Sequence, residues 1–139
     1  MMILLVEDSR FLRLATERAL VKGGYDVVTA VDGEVALLMA RERMPNLILL
    51  DMMLPKLDGL GVLRALKQDL QTANIPVIVL SGLGQQNEAK LKKEGAAAYF
   101  TKSDSLFDND SDALLRIVKS LLGRPETAGP TAAIPLPVC

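Results

Sequence analysis

Short apolar runs alternate with stretches whose apolar residues recur at helical spacing, a pattern that points to repeated βα units and a parallel sheet. The clearest runs are Ile3-Leu4-Leu5-Val6, Leu47-Ile48-Leu49-Leu50 and Ile75-Pro76-Val77-Ile78-Val79-Leu80, with weaker ones at Asp26 to Ala30 and Ala98-Tyr99-Phe100-Thr101. In an open parallel sheet the carboxyl ends of the strands share one edge, and such folds bind ligands there. That edge receives Glu7-Asp8 after the first run, Asp51 after the third, Ser81 after the fourth and Lys102 after the fifth. Three converging carboxylates repel one another unless a cation joins them, so acid, hydroxyl and ammonium at one edge form the main functional signal.

The expected strands lie near 2–7, 26–30, 46–51, 76–81 and 97–101. Ser9 or Asp8 caps a first helix to about Lys22, with Leu12, Ala15, Thr16, Ala19 and Leu20 on its buried stripe. Gly23-Gly24 ends it, the first glycine suiting the left-handed position after a helix. Val31-Asp32-Gly33 turns into a second helix carrying Ala36, Leu37, Ala40 and Met44, which Pro45 stops because helical geometry is disfavoured before a proline. A third helix is expected from about Leu60 to Gln68, and a fourth from about Gln85 to Glu94, ended by Gly95. The last spans about Asp112 to Leu122 and buries Leu114, Leu115, Val118 and Leu122. Residues 1–122 thus read as one domain. Residues 123–139, rich in Pro, Ala and Thr, read as a linker or tail.

With 139 residues, half of them hydrophobic and 24% charged, the chain suits a single globular domain. A formal net charge of -1 offers no general attraction to nucleic acid or to an anionic membrane. The apolar runs are strand-length, short of the ~20 residues of a membrane span. No signal-peptide pattern precedes the first strand, so the expected location is cytoplasmic. The one cysteine, Cys139, excludes an internal disulfide. With no histidine in the chain, Ser-His-Asp and Cys-His catalysis, imidazole-held zinc and a phosphohistidine carrier role are also excluded.

Asp51-Met52-Met53-Leu54-Pro55-Lys56-Leu57-Asp58-Gly59, taken with Glu7-Asp8, Ser81 and Lys102, resembles the response-regulator receiver domain, the phosphoacceptor module of two-component signalling. The likeness covers about residues 1 to 122. It implies a doubly wound, flavodoxin-like α/β sandwich with five parallel strands in the order 2-1-3-4-5 and five helices. It further implies that Asp51 accepts a phosphoryl group from a phosphohistidine donor. Mg²⁺ would be held by Asp8, Asp51 and the Met53 main-chain carbonyl, and by Glu7 directly or through water. Ser81, Gly82 and Lys102 would meet the phosphoryl group.

Each residue type suits that chemistry. Phosphoryl transfer needs a nucleophile, charge neutralisation and in-line positioning. A carboxylate can attack without a general base, and Mg²⁺ takes oxygen ligands.

The resemblance also makes Tyr99 a switch residue, its ring turning inward as Ser81 moves toward the phosphate; a half-buried strand aromatic is the plainer reading. The face of the fourth helix, fifth strand and fifth helix would then signal to an output protein. Phe11, Leu14 and Arg18, opposite the buried stripe of the first helix, are either part of a wide core stripe or a docking face. The docking partner would be a histidine kinase or histidine phosphotransfer protein.

One departure concerns Ser103, which follows Lys102 where the family usually has proline. A cis bond to a non-proline residue costs roughly 2.5–4 kcal/mol, so a trans bond and a different loop course are expected. Met53 and Leu83 offer no group to orient an attacking water, which implies slow self-dephosphorylation. Asp108, Asp110 and Asp112 match only the start of a calcium loop, because Ala113 stands at the required glycine and Lys119 at the bidentate glutamate. Gly59-Leu60-Gly61 lacks the third glycine of a dinucleotide fingerprint.

The residues after Leu122 are too few for an output domain, so the expected function is a switch acting through a partner unless the sequence is a fragment. A pseudo-receiver that binds its partner constitutively is the alternative, though no acid, hydroxyl or lysine of the set is missing. A metal-dependent phosphatase is disfavoured, because Met53 stands where such enzymes place a second aspartate.

Overall fold

The computed structural model describes residues 1–52, 59–81, 88–101 and 109–122, with only the main chain of 81, 88, 90, 101 and 109–112. The strands are β1 (Met2–Val6), β2 (Asp26–Ala30), β3 (Leu47–Asp51), β4 (Val77–Ser81) and β5 (Ala98–Thr101). Between and after them come α1 (Arg10–Lys22), α2 (Gly33–Arg43), α3 (Gly59–Gln68), α4 (Glu88–Lys93) and α5 (Asn109–Leu122). Every pairing is parallel, and the sheet order is β2-β1-β3-β4-β5, as expected. From β1 the chain winds outward to β2, then returns past β1 to build β3, β4 and β5 on the other side. The winding therefore reverses between β1 and β3, and a crevice opens at the carboxyl ends of strands flanking such a point.

The apolar runs do not alternate with polar residues because the sheet is covered on both faces. Successive side chains of a strand point to opposite faces. Accordingly Leu4, Val6, Ile48, Leu50, Val77 and Val79 pack against Ala36 and Ala40 of α2, Val62, Leu63 and Leu66 of α3 and Leu91 of α4. Their neighbours Ile3, Leu5, Leu47, Leu49, Ile78 and Leu80 pack with Leu20 of α1 and Leu114 and Val118 of α5. Burying each large aliphatic side chain contributes roughly 1.5–3 kcal/mol, so the two clusters are the main source of stability.

Several helix ends differ from expectation. At the start of α1 the expectation holds, since of the two candidate caps Ser9 is the one used, its hydroxyl accepting from the Leu12 N–H at 3.4 Å. Gly23 is right-handed at φ -78, and Gly24 takes the left-handed conformation at φ 99. The helix ends at Lys22 as expected, but Gly23 is its right-handed cap, so the left-handed role falls to the second glycine. Space against Leu115 explains Gly23 instead, since a Cβ there would lie 2.8 Å from that side chain.

Met44 is no part of the α2 stripe. It stands past the helix end, exposed, at φ 46. Pro45 excludes the right-handed region at Met44, and the chain takes the left-handed cap, with the Met44 N–H donating to Ala40 O at 3.1 Å.

The last helix starts at Asn109, three residues before the expected Asp112. Gly95 is left-handed at φ 113, as its place after α4 requires. The expected start of α4 at Gln85 and the tail from 123 lie outside the described residues. The approach to β4 is pinned by Lys67, whose ammonium donates to Ala73 O at 3.0 Å and Ile75 O at 2.8 Å. Burial holds that ammonium below its usual pKa.

Candidate functional site

Asp51 is the last residue of β3, opposite Leu80 of β4, and the ladder continues past it through Met52 N–H to Leu80 O at 3.1 Å. Glu7 directly follows β1 and remains tied to β2, its N–H donating to Ala30 O at 3.1 Å. Both acids are buried, at 1% exposure for Asp51 and 2% for Glu7, whereas Asp8 is exposed. Carboxylate oxygens of Glu7, Asp8 and Asp51 lie within 4.8 Å of one another. Two carboxylates at that separation repel by about 3 kcal/mol at an effective dielectric near ~20.

An all-oxygen donor set, two-thirds buried and open through Asp8, fits a hard divalent cation that retains waters. The Glu7 carboxylate also accepts from the Ser9 N–H at 3.2 Å, which ties it to the α1 cap. Gly59 backs the third acid. Its N–H donates to Met52 O at 3.2 Å, and a Cβ on it would lie 2.5 Å from Met52 Cα and 2.8 Å from Asp51 O.

The neighbouring strands bring the remaining expected residues toward this edge only in part. The main chain of Ser81 ends β4 and pairs with Thr101 at the end of β5. The Ser81 hydroxyl, Met53, Gly82, Lys102 and the Lys102-Ser103 bond lie outside the described residues.

Tyr99 is partly buried and packs against the cluster of α2, α3 and α4, with its hydroxyl buried and bonded by no described residue. The half-buried strand aromatic is therefore its observed setting. A buried hydroxyl without a partner carries a desolvation cost of ~1–3 kcal/mol. Tyr99→Phe is accordingly expected to unfold at an equal or higher urea concentration than the parent chain; a clearly lower midpoint would reveal a hydrogen bond that the hydroxyl makes in solution.

On α1, Phe11 is 71% and Leu14 39% exposed, and Arg18 is exposed as well, so the wide-stripe reading of this face does not hold. Leu14, Glu17, Arg18, Val21 and Lys22 line an open groove of about 350 Å³. Among the described residues no helix is long and apolar enough to cross a membrane.

Residues 3–122 match the family model of the response regulator receiver domain. The chain belongs to the response-regulator receiver family. It is 38% identical over 125 residues, 89% of its own length, to the DNA-binding dual master transcriptional regulator RpaA of a Synechocystis species. The match takes in 50% of that relative, so the chain spans about half the length of the curated protein. Among solved structures it is similar to the response regulator domain of Thermotoga maritima CheB, with a TM-score of 0.78, 26% identity and coverage of 88% and 96% of the two chains. It is likewise similar to the receiver domain of the sensor histidine kinase PA1611 from Pseudomonas aeruginosa. That comparison has a TM-score of 0.77, 28% identity and coverage of 88% and 97%, and the neighbour carries a magnesium ion coordinated in its active-site cleft.

The acidic edge of this receiver domain lies where the sheet reverses its winding. Two polar residues at this end of the sheet escaped the sequence reading. Asp32 caps α2, accepting from the Val35 N–H at 2.9 Å, a role signalled by its place just before Gly33. Arg13 donates through Nη1 to Glu7 O at 3.1 Å and to Asp8 O at 3.4 Å. Its only signal was a position one helical turn after the cap, shared with many surface arginines.

Proposed function

We propose that this receiver domain is a phosphorylation-dependent switch in which Asp51 accepts a phosphoryl group from a phosphohistidine donor. The observation that carries the reading is the burial of Asp51 at the end of β3 with carboxylate oxygens of Glu7 and Asp8 inside 4.8 Å. A carboxylate held so close to two others is adapted to a site completed by a cation. Glu7, Asp8 and Asp51 would hold Mg²⁺, with the Met53 carbonyl as a further ligand. Bound there, the ion supplies charge neutralisation for the acids and the phosphoryl oxygens.

An Asp51 oxygen attacks phosphorus in line, forming the O–P bond as the P–N bond to the donor imidazole breaks, and the departing imidazole takes a proton from water. Burial of Asp51 limits competing attack by water. Lys102 and Gly82 would receive the phosphoryl oxygens, and Ser81 would donate one hydrogen bond to them. Movement of Ser81, coupled to Tyr99 of the adjoining strand β5, would alter the face of α4, β5 and α5 that an output partner reads. The exposed Phe11, Leu14 and Arg18 of α1 form a suitable surface for a histidine kinase or phosphotransfer protein. The receiver unit would end near Leu122.

Incubation with Mg²⁺ and acetyl phosphate tests the central claim. The intact mass should gain one phosphoryl group in the parent chain and none in Asp51→Ala; equal gain in both would place the acceptor elsewhere.

A further inference from the structure

We infer that Arg13 is a positioning residue for the acidic site, a clamp that sets the direction of Asp8; the inference rests on the metal-binding reading above. Of the three acids, Asp51 is fixed by the β3–β4 ladder, and Glu7 by Ala30 O on one side and the Ser9 N–H on the other. Asp8 lies beyond every ladder and is exposed, so neither strand pairing nor core packing fixes its carboxylate. Its direction must come from its main chain.

Arg13 acts on that main chain at both ends of the residue. One nitrogen, Nη1, donates to the carbonyl before Asp8 at 3.1 Å and to its own carbonyl at 3.4 Å. In an extended strand consecutive carbonyls point to opposite sides. A single nitrogen reaching both therefore requires a chain that has turned at Asp8, and the two bonds hold the turn. Nη1 carries two hydrogens in a fixed plane, one for each carbonyl, and the guanidinium charge strengthens both bonds.

Arg13 is itself held, because its N–H starts the α1 ladder by donating to Ser9 O at 2.8 Å. Clamp, cap and acid pair thus form one closed corner. Residues that orient metal ligands in this way typically change metal affinity ~10–100-fold when removed.

The test is a Mg²⁺ titration followed by amide shifts in ¹⁵N-labelled protein, comparing the parent chain with Arg13→Met, Arg13→Lys and Arg41→Met. Arg41 pairs with Asp69 away from the acids and controls for the loss of a positive charge. Arg13→Met should raise the dissociation constant by ~10-fold or more. Arg13→Lys, with a stem one atom shorter, should fall between it and the parent at about threefold. Arg41→Met should bind as the parent does.

Unchanged affinity in Arg13→Met, or an equal loss in Arg41→Met, overturns the clamp while leaving the metal site standing. If the parent itself binds no Mg²⁺, the metal reading falls and the clamp's role falls with it. Should far-UV circular dichroism show Arg13→Met unfolded, Arg13→Lys decides alone: the threefold weakening supports the clamp and an unchanged constant overturns it.

Discussion

In EDTA, Asp51→Asn is expected to melt higher than the parent chain, by about 5 °C, and to lose the rise in Tm that Mg²⁺ gives the parent. The substitution keeps the shape of a buried side chain and removes one charge from a cluster confined within 4.8 Å. Relief of the repulsion with Glu7 alone amounts to roughly 3 kcal/mol at an effective dielectric near ~20, offset in part by weaker hydrogen bonding of the neutral amide. A net gain of about 1–2 kcal/mol remains for the metal-free protein. Mg²⁺ at saturating concentration reverses the order, because an ion that binds only the folded parent adds RT ln(1 + [L]/Kd), about 2.7 kcal/mol at one hundred times Kd. With one ligand lost, the variant should not share that increment. Thermal melts in EDTA and in excess MgCl₂ supply both readings. A variant that responds to Mg²⁺ as fully as the parent would mean that Asp51 is no ligand, whatever its role as phosphoacceptor.

The same cluster shows what could be read from the chain before any coordinates. Glu7, Asp8 and Asp51 were visible because each follows an apolar run, and parallel strands deliver their carboxyl ends to one edge whatever their order. The order itself is different in kind. Nothing in Leu47 to Leu50 says that β3 lies beside β1 rather than β2, since strand neighbours are chosen by packing across the sheet; the order was anticipated only through the family resemblance.

Local geometry failed where two solutions were nearly equal in cost. Gly23 and Gly24 both suit a left-handed residue, and Gly23 took the right-handed cap, which left that role to the second. Met44 continued a good helical stripe until Pro45 withdrew the right-handed region from it. Arg13 was invisible because its partners are carbonyls, which every residue has, so no pattern of side chains marks it. Burial was the other unreadable quantity. It separates Glu7 and Asp51 from Asp8, although all three are strand-end acids in the sequence.

Gly59→Ala should destabilise the fold by about 2 kcal/mol and slow phosphorylation by acetyl phosphate by ~10-fold or more. Helix propensity alone says the reverse, since alanine in place of glycine within a helix contributes up to ~1 kcal/mol of stability. Contact distances decide between the two. A Cβ on Gly59 would lie 2.5 Å from Met52 Cα and 2.8 Å from both Asp51 O and Met52 Sδ. The thioether can swing aside at small cost, but the other two atoms are main chain at the end of β3, where Met52 is tied to Leu80 O. Relief must therefore come from moving either the start of α3 or the main chain of Asp51 itself. Forcing a methyl group into such a space typically costs ~1–3 kcal/mol, more than the propensity gain returns. Displacement of Asp51, the proposed nucleophile, adds a kinetic penalty, because a shift of ~1 Å can reduce a rate by two orders of magnitude. Urea unfolding gives the first quantity and the time course of intact mass the second. An alanine variant as stable as the parent and as quickly phosphorylated would show that α3 can retreat from β3 without disturbing Asp51, and the close approach of Gly59 would then have no part in holding the site.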